Sequence, residues 1–150
     1  RRVVIGFEQK LTEKQIDVEL DIPERQNIKA EHDSLFQAVY NLIDNAIKFS
    51  NEGGKLSLKL HENAQKIFVS VRNTGEGIAS SELPHVFDRF YKSDSSRGVD
   101  KSGLGLGLYI AKTIMDQHNE EIWVKSEENS WCEFTFTLKA EGKKKPKDAF

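Results

Sequence analysis

One predicted helix constrains the fold of this chain more than any other stretch: residues Ser34 to Ser50, which read SLFQAVYNLIDNAIKFS. Its apolar residues recur at helical spacing and predict a core-facing stripe, formed by Leu35, Val39, Leu42, Ile43 and Ala46. The opposite side carries Gln37, Asn41, Asn45 and Lys48. Asparagine is a mediocre helix former because its amide competes for nearby backbone groups. Two interpretations stay open: a ligand-binding face, since carboxamide oxygens suit Mg²⁺ and lysine suits phosphate, or a surface helix that tolerates two asparagines.

Composition and charge limit the classes of protein to which this chain can belong. Its 150 residues suffice for one domain with a substantial core, and 37% hydrophobic and 31% charged residues are typical of an ordinary globular domain. The net charge of -2 gives no signal for binding to nucleic acid or to an anionic membrane. No apolar run is long enough to span a membrane, and no signal-peptide pattern begins at Arg1. Because the chain starts abruptly in a helix-like segment, we expect it to be a piece of a longer protein.

Alternation of apolar and polar residues predicts several strands. The predicted strands are 16–22, 27–30, 55–60, 66–73, 121–126 and 132–139. Turn residues separate 55–60 from 66–73 and 121–126 from 132–139, which predicts two hairpins. Helical spacing predicts further helices over 1–13 and from Leu106 through Met115, and His32 and Asp33 occupy the expected cap of the asparagine-rich helix. We therefore predict an α+β fold, a two-layer α/β sandwich in which about three helices cover one face of a mixed, mostly antiparallel sheet.

Two glycine clusters point to ligand contacts. The first, Asn73-Thr-Gly75-Glu-Gly77-Ile78, follows a predicted strand, and its glycines allow a sharp turn and a close backbone approach. A plain glycine turn explains this cluster equally well on its own. The second, Gly103-Leu-Gly105-Leu-Gly107-Leu108, runs directly into a predicted helix, whose N-terminus carries positive charge and favours anions. Since each glycine costs about 1 kcal/mol relative to alanine in a helix, phosphate binding is the economical reason for three of them.

Two segments lack regular periodicity. Residues 80–102 show only a short helical patch, and a loop of this length inside a domain is typically a functional lid. Residues 142–150 contain four lysines and almost no apolar side chain. We predict a domain at 1–141 with a mobile lid at about 80–102, followed by a flexible basic tail at 142–150. The lone Cys132 excludes an internal disulfide, and its alternating context favours a strand position over a catalytic thiol.

Four motifs in this order resemble those of the sensor histidine kinases. They are Asn41-Leu-Ile-Asp-Asn45-Ala-Ile-Lys48-Phe49-Ser50, Asn73-Thr-Gly75-Glu-Gly77-Ile78, Phe87-Asp-Arg-Phe90-Tyr91 and Gly103-Leu-Gly105-Leu-Gly107-Leu108. They are similar to that family's N, first-glycine, F and second-glycine boxes, and the resemblance covers the chain from about Val3 to Lys139. It implies the ATP-binding catalytic domain of such a kinase, with the Bergerat fold that gyrase, Hsp90 and MutL ATPases share.

The resemblance also implies roles for individual residues. Asn45 would bind the Mg²⁺ that bridges the phosphates, with Asn41 in support, and Lys48 would reach a phosphate. The adenine pocket would be shaped by Phe49, Asn73, Gly75, Gly77 and Ile78. The triphosphate would lie against the second glycine box, that is Gly103, Leu104, Gly105, Leu106, Gly107 and Leu108. In the lid, Phe87, Phe90 and Tyr91 would serve as anchors, and Lys92, Arg97 and Lys101 are candidate phosphate contacts.

The chain departs from the family pattern at several positions. The family usually carries Asp where Asn73 stands, and that carboxylate accepts a hydrogen bond from the adenine amine. Asn73 can still accept through its carbonyl oxygen, but without the charge, so the resemblance leaves open whether ATP affinity or base selectivity matches the family's. In the third-glycine region, Asn119, Asn129 and Trp131 stand where glycines are expected. Because this region forms a hairpin, we expect altered loop geometry there rather than lost binding.

Position 41 helps to choose among the relatives. Members that hydrolyse ATP, and related serine kinases, carry there a Glu that acts as general base, whereas Asn41 takes up no proton. None of the histidines, His32, His61, His85 and His118, stands in a phosphoacceptor pattern. The resemblance therefore implies a histidine kinase domain that phosphorylates the acceptor helices of its parent kinase, which then pass the phosphoryl group to a response regulator. It also implies a cytoplasmic location within a membrane-bound sensor. A self-contained ATPase or serine kinase and a non-catalytic nucleotide-sensing module remain as alternatives.

Overall fold

A six-stranded sheet and a layer of helices make up the computed structural model, which describes residues 1–24, 26–91 and 106–141. In chain order the elements are α1 (Arg2–Ile5), α2 (Glu8–Glu13), β1 (Asp17–Asp21), β2 (Ile28–Lys29), α3 (His32–Phe49), β3 (Lys55–Asn63), β4 (Lys66–Thr74), a 3-10 turn (Leu83–His85), α4 (Gly107–Gln117), β5 (Ile122–Glu127) and β6 (Trp131–Ala140). The predicted lid beyond residue 91 and the predicted tail at 142–150 lie outside the described residues.

The strands are ordered β1-β3-β4-β6-β2, and β5 also pairs with β6. Only β1 and β3 run parallel, with Val18 opposite Leu56, while every other pairing is antiparallel. The pairings of β3 with β4 and of β5 with β6 are the two predicted hairpins. The predicted mixed, mostly antiparallel sheet is confirmed.

The core lies between the helices and one face of the sheet. Every second residue of the central strands is buried on that face, including Val71 of β4 and Phe134 and Phe136 of β6. The α3 stripe that meets them is formed by Ala38, Leu42, Ile43, Ala46 and Ile47, with Leu35 and Val39 at its margin. Because alternate strand residues and a helical stripe meet in one cluster, the two-layer α+β architecture predicted from the sequence is confirmed.

Two details at the helix ends differ from the prediction. Residues 1–13 form two short helices rather than one, because the chain turns at Gly6 and Phe7 to bury the Phe7 ring. The asparagine-rich helix starts at His32, and its cap is Glu31 instead of His32 or Asp33. None of the helices in the described part of the chain is both long and apolar enough to cross a membrane.

The Glu31 cap acts through its carboxylate. Its two oxygens accept the backbone N–H groups of Asp33 at 3.0 Å and Ser34 at 2.7 Å. Hydrogen bonds from the Ser34 side chain, the Ser34 backbone and the Asp33 backbone lower the pKa of this exposed carboxyl. The Glu31 backbone N–H in turn donates to Nε2 of His118 at 3.2 Å, while Nδ1 of that ring lies 2.8 Å from the Ile114 carbonyl. The cap therefore joins the start of α3 to the end of α4.

Stability should depend on pH through this cap. Because folding lowers the pKa of Glu31, its stabilising contribution is present at neutral pH and is lost as the pH falls through the lowered pKa. We expect Glu31→Gln to lower the melting temperature at pH 7, and we expect the difference from the parent to shrink as the solution becomes acidic. Glu52→Gln is the matched control, since no hydrogen bond joins the Glu52 side chain to another described residue. If the difference in melting temperature from the parent depended on pH equally in Glu31→Gln and Glu52→Gln, the Glu31 cap would be excluded as the cause of the pH dependence.

Candidate functional site

The polar face of α3 carries the first group of predicted site residues. Asn41 is held at both ends of its carboxamide: Nδ2 donates to the Gly107 carbonyl at 3.2 Å, and Oδ1 accepts from Gln37 at 3.0 Å. One turn further on, the half-buried Asn45 side chain makes no hydrogen bond within the described part of the chain. Asn41 therefore links α3 to the start of α4, whereas the Asn45 carboxamide is available to a ligand.

Lys48 lies one further turn along the same helix. Its ammonium pairs with the Asp44 carboxylate at 3.1 Å, and Lys10 approaches the other oxygen of the same carboxylate at 3.5 Å. The Lys48 side chain retains 39% of its surface exposure. Asp44 therefore holds the Lys48 ammonium near the end of α3 and at the protein surface, where it is accessible to a phosphate group.

The loop after β4 needs glycine at two positions. A Cβ on Gly75 would collide with the Phe49 carbonyl oxygen, and Ser50 forms an isolated β-bridge with Gly75. Gly77 has φ +65°, and a Cβ there would collide with the Glu127 carbonyl oxygen. The structure thus brings the predicted first-glycine cluster directly against the end of α3.

Ser126 fixes the far end of that loop, and sequence reasoning missed it. Its Oγ accepts the backbone N–H of Ile78 at 2.7 Å and donates to the Trp131 carbonyl at 2.8 Å. Since a serine on an alternating strand looks like any surface residue, nothing in the local pattern indicates this contact. The β5–β6 hairpin therefore supports the glycine loop.

Asn73 is buried at the end of β4, with 3% of its surface exposed. It alternates with Val71 and Ile67, so it faces the helix layer. Its Nδ2 donates to the Thr74 carbonyl at 3.2 Å. The reverse amide orientation would set two oxygens against each other, so Oδ1 is the atom left to accept from a ligand.

Cys132 lies opposite Asn73 in the β4–β6 register. Burial raises the pKa of its thiol to about 12, so the thiol is neutral at physiological pH. A neutral, buried thiol is a poor nucleophile and packs as a small apolar group. The predicted strand position of Cys132 is confirmed.

In the described part of the predicted lid, two of the three aromatic residues expected to serve as anchors pack against the core. Phe87 packs edge-on against Phe134 with ring centroids 5.8 Å apart, and Tyr91 is half-buried against the core. Phe90, by contrast, is 61% exposed with φ +62°. Phe90 is therefore not an anchor in this structure, and its side chain is presented to solvent. Lys92, Arg97 and Lys101 lie outside the described residues.

The second glycine box is described only from Leu106 onward. Leu106 is the N-cap of α4, Gly107 is its first residue, and Leu108 packs against the core. A Cβ on Gly107 would meet the Asn41 side chain at 3.8 Å, an ordinary contact, so packing on α3 does not by itself require glycine there. Gly103, Leu104 and Gly105 lie outside the described residues.

The altered third-glycine region keeps a glycine-like backbone. Asn119 has φ +55° and Asn129 has φ +64°, the left-handed conformation that Asn tolerates better than most residues. Trp131 instead lies on β6, where its indole donates to Glu127 at 3.1 Å and the Arg72 guanidinium lies 4.1 Å from its ring. The two asparagines therefore adopt a backbone conformation that glycine also adopts, and the altered loop geometry expected relative to the family stays a prediction.

Comparisons with known proteins agree with this arrangement. Residues 30–142 match the family described as histidine kinase-, DNA gyrase B-, and HSP90-like ATPase. The chain is 36% identical over 129 residues to the sensor histidine kinase WalK of Bacillus subtilis (strain 168), an alignment that covers 84% of this chain and 21% of WalK. The chain thus spans about a fifth of the length of that relative.

Solved structures show the same architecture. The catalytic domain of the histidine kinase ThkA superposes with a TM-score of 0.80 at 30% identity, covering 93% of this chain and 88% of that catalytic-domain chain. Full-length ShkA superposes with a TM-score of 0.80 at 25% identity, covering 95% of this chain and 30% of ShkA. This chain therefore belongs to the family of histidine kinase-, DNA gyrase B- and HSP90-like ATPases, and within it to the catalytic domains of sensor histidine kinases.

Proposed function

We propose that this domain binds Mg²⁺-ATP and presents its γ-phosphate to a histidine on a separate dimerisation and phosphoacceptor domain. In the transfer step an imidazole nitrogen of that histidine attacks the γ-phosphorus, and ADP leaves. The domain's own contribution is positioning and charge stabilisation, which is most of what phosphoryl transfer requires. The phosphohistidine would then donate to a response regulator, as in two-component signalling.

The proposal depends mainly on Asn41, whose carboxamide cannot act as a base and is hydrogen-bonded at both ends. ATP-hydrolysing relatives have a general base at this position, but a carboxamide takes up no proton at neutral pH. Both ends of the Asn41 carboxamide are also engaged, with Gln37 and with the Gly107 carbonyl. A domain without its own base is suited to an acceptor that is itself nucleophilic, and the imidazole side chain of histidine is one.

The residues present are suited to a magnesium nucleotide. Within the described ranges, no group of three His, Cys, Asp or Glu side chains is arranged to hold a metal. A Mg²⁺ carried by phosphate oxygens needs few protein ligands, and the Asn45 carboxamide, which makes no hydrogen bond to another described residue, would supply a neutral oxygen. When bound, the metal would offset phosphate charge. Lys48 would contact a phosphate, while Asn73, Gly75 and Gly77 would line the base pocket.

Two relatives support the proposal by what they bind. The ShkA structure contains AMPPNP, and ThkA has been solved in complex with the response regulator TrrA. Because this chain spans only a fraction of its longer relatives, a phosphoacceptor domain elsewhere in the parent protein is part of the proposal.

Phosphotransfer in trans tests the function directly. Incubated alone with γ-labelled ATP, the domain should bind nucleotide without labelling itself or hydrolysing ATP appreciably. With the acceptor helices of its parent kinase, it should place label on a histidine through an acid-labile, base-stable bond. Brisk hydrolysis by the domain alone would favour a self-contained ATPase, and binding without transfer would favour a nucleotide-sensing module.

The role of Asn45 is testable through metal dependence. If its carboxamide ligates Mg²⁺, Asn45→Ala should weaken Mg²⁺-AMPPNP binding by roughly tenfold or more, while the melting temperature of the nucleotide-free domain changes little. With EDTA in place of Mg²⁺, the parent and the variant should bind AMPPNP alike. Asn63→Ala, at an exposed end of β3, is the matched control. Equal affinity of parent and Asn45→Ala in Mg²⁺ would remove Asn45 from the metal site.

Asn73→Asp separates base recognition from stability. A carboxylate at this buried position would place an oxygen against the Thr74 carbonyl, so the nucleotide-free domain should lose about 1–3 kcal/mol. The adenine amine would donate to the other oxygen of the carboxylate, and a charged acceptor forms a stronger hydrogen bond than an amide oxygen, so ATP affinity should be kept or increased. Discrimination against GTP should rise, because guanine carries a carbonyl oxygen where adenine carries its amine, and that oxygen would be repelled by the carboxylate. Denaturant melts and titrations with both nucleotides measure these effects. Weaker ATP binding with unchanged stability would contradict the assigned role.

A further inference from the structure

Lys14, in the link between α2 and β1, reaches the C-terminal end of α3. Its ammonium donates three hydrogen bonds to backbone carbonyl oxygens, those of Ile47 at 2.8 Å, Lys48 at 3.0 Å and Ser50 at 3.2 Å. An ammonium has three donors, and all three are used on this one helix end. Burial lowers the pKa of Lys14, and the three carbonyls replace water around the charged form.

The end of α3 needs these donors. The last turn of any helix leaves carbonyl groups without intrahelical partners, and α3 ends at Ser50 in an extended conformation (ψ 142°) rather than at a glycine cap. Ser50 provides donors for two of these carbonyl groups. Its Oγ donates to the Ala46 carbonyl at 2.6 Å, and its N–H donates to the Ile47 carbonyl at 3.3 Å. A positive charge is also favoured at this negative end of the helix dipole. Lys14 thus supplies both the missing donors and the charge.

The backbone of Lys14 is itself fixed to the same junction. Its carbonyl accepts the N–H of Gly53 at 2.9 Å, and its N–H donates to the Lys10 carbonyl at 3.2 Å. Just beyond it, the Asp17 N–H donates to the Gly54 carbonyl at 2.9 Å. Two backbone hydrogen bonds, Gly53 to Lys14 and Asp17 to Gly54, therefore join the turn that follows α3 to the chain that precedes β1.

This junction orients the residues assigned to the nucleotide. Lys48 supplies one of the accepting carbonyls, Asn45 lies less than one turn before it, and Ser50 bridges to Gly75. We propose that Lys14 is a positioning residue for nucleotide binding, which fixes the last turn of α3 and so sets the phosphate-side groups against the glycine loop. This inference rests on the proposed function.

Substitutions at position 14 test it. Lys14→Met keeps the aliphatic stem and removes every donor, while Lys14→Arg keeps charge and donors. Lys59→Met, at an exposed position on β3, is the matched control. Without nucleotide, amide hydrogen exchange over residues 47–51 should be faster in Lys14→Met than in the parent and the control. Its affinity for Mg²⁺-AMPPNP should fall about tenfold, the effect expected from losing charged hydrogen bonds, and its affinity for adenosine should fall less. Lys14→Arg should recover most of the affinity.

Two results would overturn the positioning role. One is unchanged exchange over residues 47–51 in Lys14→Met, and the other is an equal loss of affinity for AMPPNP and adenosine, which marks a merely structural lysine. If Lys14→Met does not fold, Lys14→Gln, which keeps one amide donor, takes its place in both measurements. A parent domain that binds neither ligand would instead overturn the proposed function, and the positioning role with it. If the parent binds both ligands normally and only the results for the Lys14 variants differ from those expected, the positioning role fails while the proposed function stands.

Discussion

The close approach of the end of α3 to the glycine loop after β4 is the contact on which the site depends. Gly75 lies so near the Phe49 carbonyl that a Cβ could not be placed there, and Ser50 pairs with Gly75 in an isolated bridge. One short contact therefore joins the helix that carries the groups proposed to bind phosphate to the strand that carries the groups proposed to bind the base. Since packed layers transmit small displacements rather than absorb them, a side chain at position 75 would disturb both halves of the site.

The supports of this contact come from distant parts of the chain. Lys14 holds the helix side through the carbonyls of the last turn, and Ser126 holds the loop side through the Ile78 N–H. Thr74 adds a third support: its hydroxyl donates to the Asn51 side chain at 2.8 Å and accepts the Lys55 N–H at 2.9 Å. Each support is a hydrogen bond from one side chain to the backbone or side chain of another element. Together they hold a loop rich in glycine in one conformation, which glycine alone would not do.

The sequence predicts much of this architecture, because periodicity reports burial. The stripe on α3 and the alternation in β3, β4, β5 and β6 each follow from which face meets the core, so the helices, the hairpins and the two-layer arrangement were predictable. The Glu31 cap was not, since glutamate is not among the usual capping residues. The contacts of Lys14 with Lys48 and of Ser126 with Ile78 were not predictable either, because they span 34 and 48 residues of the chain and leave no local pattern. Long-range polar contacts of this kind appear only when the fold is known.

The two asparagines on the polar face of α3 differ in whether their carboxamides form hydrogen bonds with other described residues. Asn41, at the position of a general base in hydrolysing relatives, uses both ends of its carboxamide to join α3 and α4, whereas Asn45, one turn away, is unengaged within the described part of the chain. The same residue type thus serves as a structural bridge at one position and as a candidate ligand at the next. A base at position 41 would have to give up the bond to the Gly107 carbonyl, because a carboxylate has no proton to donate. The contact between α3 and α4 therefore favours an amide over a carboxylate at this position, which suits a domain whose nucleophile is carried by its substrate.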